Sequence, residues 1–223
     1  MQIKDINLEF LGHSGFLISC KEGKKIVIDP YNVSDKMPKA DFILITHSHY
    51  DHCSIKDIEK IVKEGTTIVI PADAQSKITK IKGVEMQLIE AGDAFKFGNI
   101  KIDAVPAYNV EKDFHPKSEG WLGYIITIDK VVIYHSGDTD KIPEMKKLTG
   151  HGKKGIEFVA LLPVSGTYVM DSDEAAEVAS LLSPEIAIPM HYGAGVVGTM
   201  KDAENFVEQC KKLGVEAKIL EKI

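Results

Sequence analysis

Residues 42–46, Phe-Ile-Leu-Ile-Thr, form an almost wholly apolar run, and the chain then reads His47-Ser48-His49-Tyr50-Asp51-His52. No other junction restricts the possible folds as much. A short apolar run of this kind reads as a strand buried on both faces. The H-x-H-x-D-H pattern behind it sets three imidazoles and a carboxylate within six positions. Chance places that pattern in roughly 7 of 10,000 chains of this His and Asp content, so the match is specific. Neutral imidazole and carboxylate are good ligands for zinc and similar divalent ions. Buried without an ion, such a cluster would strand polar groups at roughly a few kcal/mol each. Ser54 then offers a helix N-cap, and Ile55, Ile58, Ile61 and Val62 recur at helical spacing. The cluster therefore belongs on a strand-to-helix loop, beyond the carboxyl end of a strand, where open sheets hold ligands.

The alternation extends along the chain. Residues 6–11, 16–20, 25–29, 67–70, 87–89, 94–97 and 100–105 read as strands, and residues 72–80 as helical. Residues 121–128 and 131–135 form a hairpin across Asp129-Lys130. Strands at 158–162, 185–189 and 216–220 then alternate with helices at 172–182 and 201–213. Residues 107–120 show no periodicity, and loops of that length inside a compact domain are often functional. Two similar halves emerge, each a group of strands followed by mixed α and β. Helices outside two packed sheets satisfy this pattern, an α/β chain built as an αββα sandwich.

The 223 residues fit one domain, 1–223, with 44% hydrophobic and 27% charged residues. A net charge of −6 argues against a general nucleic-acid or membrane surface. All the cationic side chains are Lys, so no guanidinium fork is available to grip an anionic substrate. Three scattered cysteines, Cys20, Cys53 and Cys210, suit a reducing compartment. The first residues lack a signal-peptide pattern, and no apolar run approaches the ~20 residues of a bilayer span. A cytoplasmic protein acting on a small molecule, possible as a homo-oligomer, is the expectation.

Two more strand ends carry ligand-type residues. Asp138 follows an apolar strand in His135-Ser136-Gly137-Asp138-Thr139-Asp140, and His191 follows another in Pro189-Met190-His191-Tyr192-Gly193. Alone, the first reads as a helix cap and the second as a structural histidine. Three His/Asp-bearing loops, all at strand ends, favour ligands. With Leu11-Gly12-His13-Ser14-Gly15 and Ile28-Asp29-Pro30, these segments resemble the metallo-β-lactamase superfamily. The likeness is greatest to its small single-domain branch of metal-dependent hydrolases, which includes L-ascorbate-6-phosphate lactonase.

The resemblance implies the αββα fold and a dinuclear site, zinc first, with manganese or iron as alternatives. His47 and His49 would bind the first ion; Asp51, His52 and His191 the second; Asp138 would bridge them. The family's further first-site histidine follows a strand about sixty residues after the motif. Here that place reads Pro106-Ala107-Tyr108-Asn109. The candidates to fill the role are Asn109, through its amide oxygen, and His115. We expect residues 107–120 to fold over the site, Phe114 to bury its ring as an anchor, and His115 to be the ligand. His13 and Asp29 would support the ligand loops, or form a hydrogen-bonded core pair.

The expected activity is hydrolysis of an ester, lactone, amide or phosphodiester by a metal-bridging hydroxide, with Asp51 and Asp138 as catalytic residues. One alternative is a di-iron redox protein, although such relatives typically carry Glu where His49 stands, together with a flavin domain. The other is a non-catalytic module with a degraded first site. No G-x-S-x-G elbow or phosphate-binding glycine loop is present.

Overall fold

A computed structural model describes all 223 residues, Met1–Ile223. The chain divides into two compact units, Met1–Glu90 with Leu220–Ile223, and Ala91–Ile219. The first holds a seven-stranded mixed sheet in simple order: β1 (Gln2–Ile3), β2 (Ile6–Gly12), β3 (Gly15–Cys20), β4 (Lys25–Ile28), β5 (Phe42–Leu44), β6 (Thr66–Ile70) and β7 (Val84–Leu88). The pairing is antiparallel through β4 and parallel from β4 to β7. Helix α1 (Ile55–Ile61) and the short α2 (Gln75–Ile78) supply the crossovers.

One sheet face meets those helices. Leu17, Val27, Ile43, Ile68 and Ile70 pack with Ile58, Ile61 and Ile78 in one apolar cluster. Fully burying each such side chain contributes roughly 1.5–3 kcal/mol. The alternate residues Leu8, Phe16, Ile18, Ile26, Ile28 and Leu44 are buried as well. These strands consequently read as continuous apolar runs. Ser54 stands at the N-cap of α1, but its hydroxyl donates to Asp57 (2.7 Å) and caps no backbone N–H.

The second unit holds a six-stranded mixed sheet ordered β13-β12-β11-β10-β9-β8. Its strands are β8 (Ala94–Phe97), β9 (Ile100–Pro106), β10 (Leu122–Ile128), β11 (Val131–His135), β12 (Glu157–Pro163) and β13 (Ile186–Met190). Strands β8 to β11 are antiparallel, and β11, β12 and β13 run parallel. Helix α3 (Ser172–Leu182) packs on β12, and α4 (Met200–Lys212) on α3 and β13. Asp171 starts α3 with a reciprocal box, accepting from the N–H groups of Asp173 and Glu174 while Glu174 accepts from that of Asp171. The apolar face of α4, Ala203, Phe206 and Cys210, is buried. No helix is long and apolar enough to cross a membrane.

Three local expectations need correction. Residues 216–220 form no strand, only an isolated bridge from Ala217 to Ala187: the alternation of exposed Glu216 and Lys218 with half-buried Ala217 and Ile219 is that of a strand, but pairing does not extend beyond the one bridge. Residues 72–80 break into a 3-10 turn at Ala72–Ala74 followed by α2. The strand expected at 87–89 runs instead from Val84 to Leu88, a largely exposed edge.

Asp57 joins the start of α1 to the chain after β4. Its carboxylate accepts from the N–H groups of Asn32 (2.9 Å) and Val33 (3.2 Å) and from Lys60 (3.0 Å). Burial pushes its pKa up, but the hydrogen bonds from Ser54, Lys60 and Asn32 outweigh burial and hold it below the ordinary aspartate value. A depressed carboxylate adds stability above its unfolded pKa and loses it as the pH falls through the folded one. We expect Asp57→Asn to cost about 1–3 kcal/mol at pH 7. Urea unfolding should show that difference shrinking towards pH 3; an equal cost at both pH values would refute the assignment.

Candidate metal centre

In the first unit the ligand candidates hang from the carboxyl ends of β4 and β5. Asp29, fully buried just past β4, accepts the backbone N–H of Thr46 (2.8 Å), the Thr46 hydroxyl (2.6 Å) and His52 Nδ1 (2.8 Å). The Thr46 proton is spent on Asp29, so its oxygen accepts from His47 Nδ1 at 2.9 Å. One carboxylate therefore fixes both rings with the proton on Nδ1, directly for His52 and through Thr46 for His47. Nε2 is then the lone-pair nitrogen of each neutral ring. The His47 ring lies 4.1 Å from that of His52 and 4.7 Å from that of His49, between centroids.

Asp51 lies next to them. Its Oδ2 is 2.8 Å from His13 Nε2 and 3.7 Å from His52 Nε2. His13, Asp51 and His52 offer ligand atoms within 4.8 Å of one another. His13 (φ 55°) and Asp29 (φ 41°) both occupy the left-handed region, which ordinary side chains avoid. The loop is also held at Ser48, whose N–H donates to Asp73 (3.3 Å) and whose carbonyl accepts from Lys77. Cys53 is buried and its thiol is pushed up to about 12, chiefly by burial. It packs as an inert core residue.

The second unit gathers Asp138, His115 and His191. Asp138 follows β11 through Ser136 and Gly137. Gly137 has φ 65°, and a Cβ there would stand 2.3 Å from the Leu122 carbonyl oxygen, so only glycine makes this turn. Asp138 Oδ2 lies 3.2 Å from His115 Nε2 and 3.0 Å from His191 Nε2. His191, just past β13 at φ 64°, meets Ser165 Oγ with its Nδ1 at 2.8 Å. All three side chains are buried. Two imidazole nitrogens converging on one buried carboxylate oxygen make a donor set suited to a divalent cation.

His115 arrives on the loop of residues 107–120. The loop is pinned where Tyr108 OH (2.7 Å) and Lys117 (2.8 Å) donate to Glu144. Those partners, Lys117 first, hold the Glu144 carboxyl down at about 2. Phe114 does not bury its ring as expected. It is 51% exposed and stands edge-on to Tyr168, 4.6 Å between centroids. Hydrogen bonds to Glu144 and Asp140 hold the loop instead. His115 is buried beside Trp121, with 5.3 Å between ring centroids.

The structure thus brings together His47, His49, Asp51 and His52 in one unit, and His115, Asp138 and His191 in the other. Thr46 and Asp140 were not picked out by sequence as positioning groups. Thr46 adjoins the motif, but its role depends on Asp29 lying across from it on the next strand. Asp140 reads as a cap in Gly137-Asp138-Thr139-Asp140, yet its carboxylate takes Val110 N (2.9 Å) and Lys112 (2.6 Å).

A family model described as "Beta-lactamase superfamily domain" matches residues 7–191. A UPF0173 metal-dependent hydrolase from Pyrococcus furiosus is 35% identical over 226 residues, covering 96% of this chain and 95% of that protein. A crystal structure of a candidate metal-dependent hydrolase from Parabacteroides distasonis superposes with TM-score 0.82 at 32% identity, covering 97% of this chain and 94% of that one. CmlA, a diiron β-hydroxylase from Streptomyces venezuelae, gives TM-score 0.75 at 15% identity, covering 99% of this chain and 53% of that one. At that identity it shares the fold alone. The two mixed sheets with their helices fit the α/β sandwich of these neighbours.

If Asp29 sets the ring protons as described, an amide in its place must turn an N–H₂ towards some of the same donors. We expect Asp29→Asn to weaken zinc binding about 10- to 100-fold. Competition with a chromogenic chelator measures this, and unchanged zinc affinity in a folded variant would rule it out.

Proposed function

This chain belongs to the β-lactamase superfamily of metal-dependent hydrolases, and from that premise we propose that it cleaves an ester, lactone, amide or phosphodiester in a small molecule. In this reading residues 1–223 act as one domain, since the family match runs through both units. His47, His49 and His115 would hold a first ion and Asp51, His52 and His191 a second, with Asp138 a ligand to both. The assignment follows the family's ligand order. Two divalent ions, zinc first, would lower the pKa of a shared water to about 7 and so supply hydroxide at neutral pH.

The observation that carries the reading is the fixed protonation of the ligand rings. His47 and His52 are held through Nδ1 by Thr46 and Asp29, which commits Nε2 to accept a cation. Partners of this kind orient metal-binding histidines and raise their basicity. Asp51, steadied by His13 Nε2 at 2.8 Å, is the group placed to pass a proton to a leaving group. Asp138 keeps its carboxylate against His115 and His191. Tyr50 is 63% exposed within the motif and stands edge-on to Tyr31, 5.9 Å between centroids. Its ring offers an apolar surface to a substrate approaching that loop.

The test is a panel of ester, lactone, amide and phosphodiester substrates with protein loaded separately with zinc, manganese and iron. Turnover and two ions per chain by elemental analysis are expected. His115→Ala should lose one ion and slow turnover about 100-fold or more, since each tenfold corresponds to about 1.4 kcal/mol of lost transition-state stabilisation. A doubly loaded protein that turns over none of these substrates would defeat the proposal. Iron with oxygen consumption in its place would favour the di-iron reading.

A further inference from the structure

Asn109 occupies the place where the family carries a ligand histidine, and its amide oxygen is the obvious substitute. We infer that Asn109 is instead a positioning residue: with the Tyr168 carbonyl and Asp140 it fixes His115 as the Nδ1–H tautomer, so that Nε2 faces the ion. The step from tautomer to ion rests on the reading of His115 as a ligand; the tautomer itself does not.

The argument starts from the orientation of the amide. Asn109 Oδ1 accepts the backbone N–H of His115 at 2.9 Å, and a backbone N–H can only donate. Asn109 Nδ2 donates to Asp140 Oδ1 at 3.1 Å and to the Tyr168 carbonyl at 2.9 Å, both acceptors. The reverse orientation would set donor against donor and acceptor against acceptor. With the amide so fixed, His115 Nδ1 lies 3.1 Å from Asn109 Oδ1 and 3.1 Å from the Tyr168 carbonyl oxygen. Both neighbours accept, so Nδ1 must carry the proton.

Two consequences follow. In the neutral ring Nε2 is the lone-pair nitrogen, and it lies 3.2 Å from Asp138 Oδ2. A lone pair facing a carboxylate calls for a cation between them. Asn109 Oδ1, for its part, is turned to His115: it accepts the backbone N–H at 2.9 Å and shares the ring Nδ1–H with the Tyr168 carbonyl, each at 3.1 Å. An oxygen engaged in this way by one residue is a poor donor to a metal.

The rest of the segment is built to keep this geometry. Asn109 N–H donates to the His115 carbonyl at 2.7 Å, so the two residues are tied in both directions. Asp140 takes Asn109 Nδ2, Val110 N–H and the Lys112 ammonium, while its own N–H donates to the Tyr108 carbonyl at 3.0 Å. Residues 108–112 are therefore clamped to the turn that carries Asp138.

The first measurement is long-range proton–nitrogen NMR on the metal-free wild-type protein with labelled histidine, at a pH where His115 is neutral. His115 should show a protonated Nδ1 and a bare Nε2; the opposite tautomer would overturn the inference. It needs no turnover, so a failed substrate panel would leave it standing. The second is zinc affinity, with Zn²⁺ alone as the probe, in Asn109→His and Asn109→Leu, each checked for native circular dichroism. A positioning Asn109 predicts about 10- to 100-fold weaker binding in both. An Asn109 ligand predicts tighter binding in Asn109→His, since imidazole is the better zinc donor. Tighter binding, or wild-type affinity in both variants, would overturn the inference.

Discussion

The first unit's candidate ligand set depends on one buried carboxylate, that of Asp29. It receives three donors, two from Thr46 and one from His52. Hydrogen bonds to a charged group are worth about 1.5–3 kcal/mol each. The left-handed backbone of Asp29 (φ 41°) costs on the order of 1–3 kcal/mol. The hydrogen bonds outweigh the strain, and the strained conformation is what points the carboxylate across to the neighbouring strand end. Because β4 and β5 run parallel, Asp29 and Thr46 leave the sheet side by side. The ring protons of His47 and His52 follow from that adjacency.

The second unit solves the same problem with different parts. Its ligand candidates also leave the carboxyl ends of strands, Asp138 from β11 and His191 from β13, but His115 comes from a loop. A loop has no sheet to orient it, and here a dense set of polar contacts does that work. Glu144 holds Tyr108 and Lys117 on either side of His115, and Asp140 holds the segment before it. Both sets of ligand candidates are thus held in place by protein groups alone, an arrangement that lowers the reorganisation any ligand would require.

Most of the strands were legible because their residues are buried on both faces and so read as unbroken apolar runs. The tail at 216–220 misled because alternating polar residues imitate a half-buried strand, whereas pairing requires a partner along its length. The 3-10 turn at Pro143–Leu148 left no periodic signal in six residues that include two lysines. In the candidate site, spacing was enough to place His47, His49, Asp51 and His52 on one loop after a strand. His115 was the residue chosen for the remaining ligand place, but its burial beside Asp138 and its ties to Asn109 were not legible, because sequence places both residues on one loop without showing which way the amide turns. The exposure of Phe114 was also hidden, since an aromatic side chain in a polar loop can equally be an anchor or a rim.

Cys53 directly follows His52, yet its thiol is held up at about 12. Burial is the chief cause, since Cys53 packs in the apolar cluster with Ile43, Ile58 and Ile61. The residue after the motif therefore roots the loop in the apolar core of its unit, directly ahead of α1. A loop that offers a ligand-type side chain at one residue and fills the core with the next couples the packing of its unit to the placement of its imidazoles.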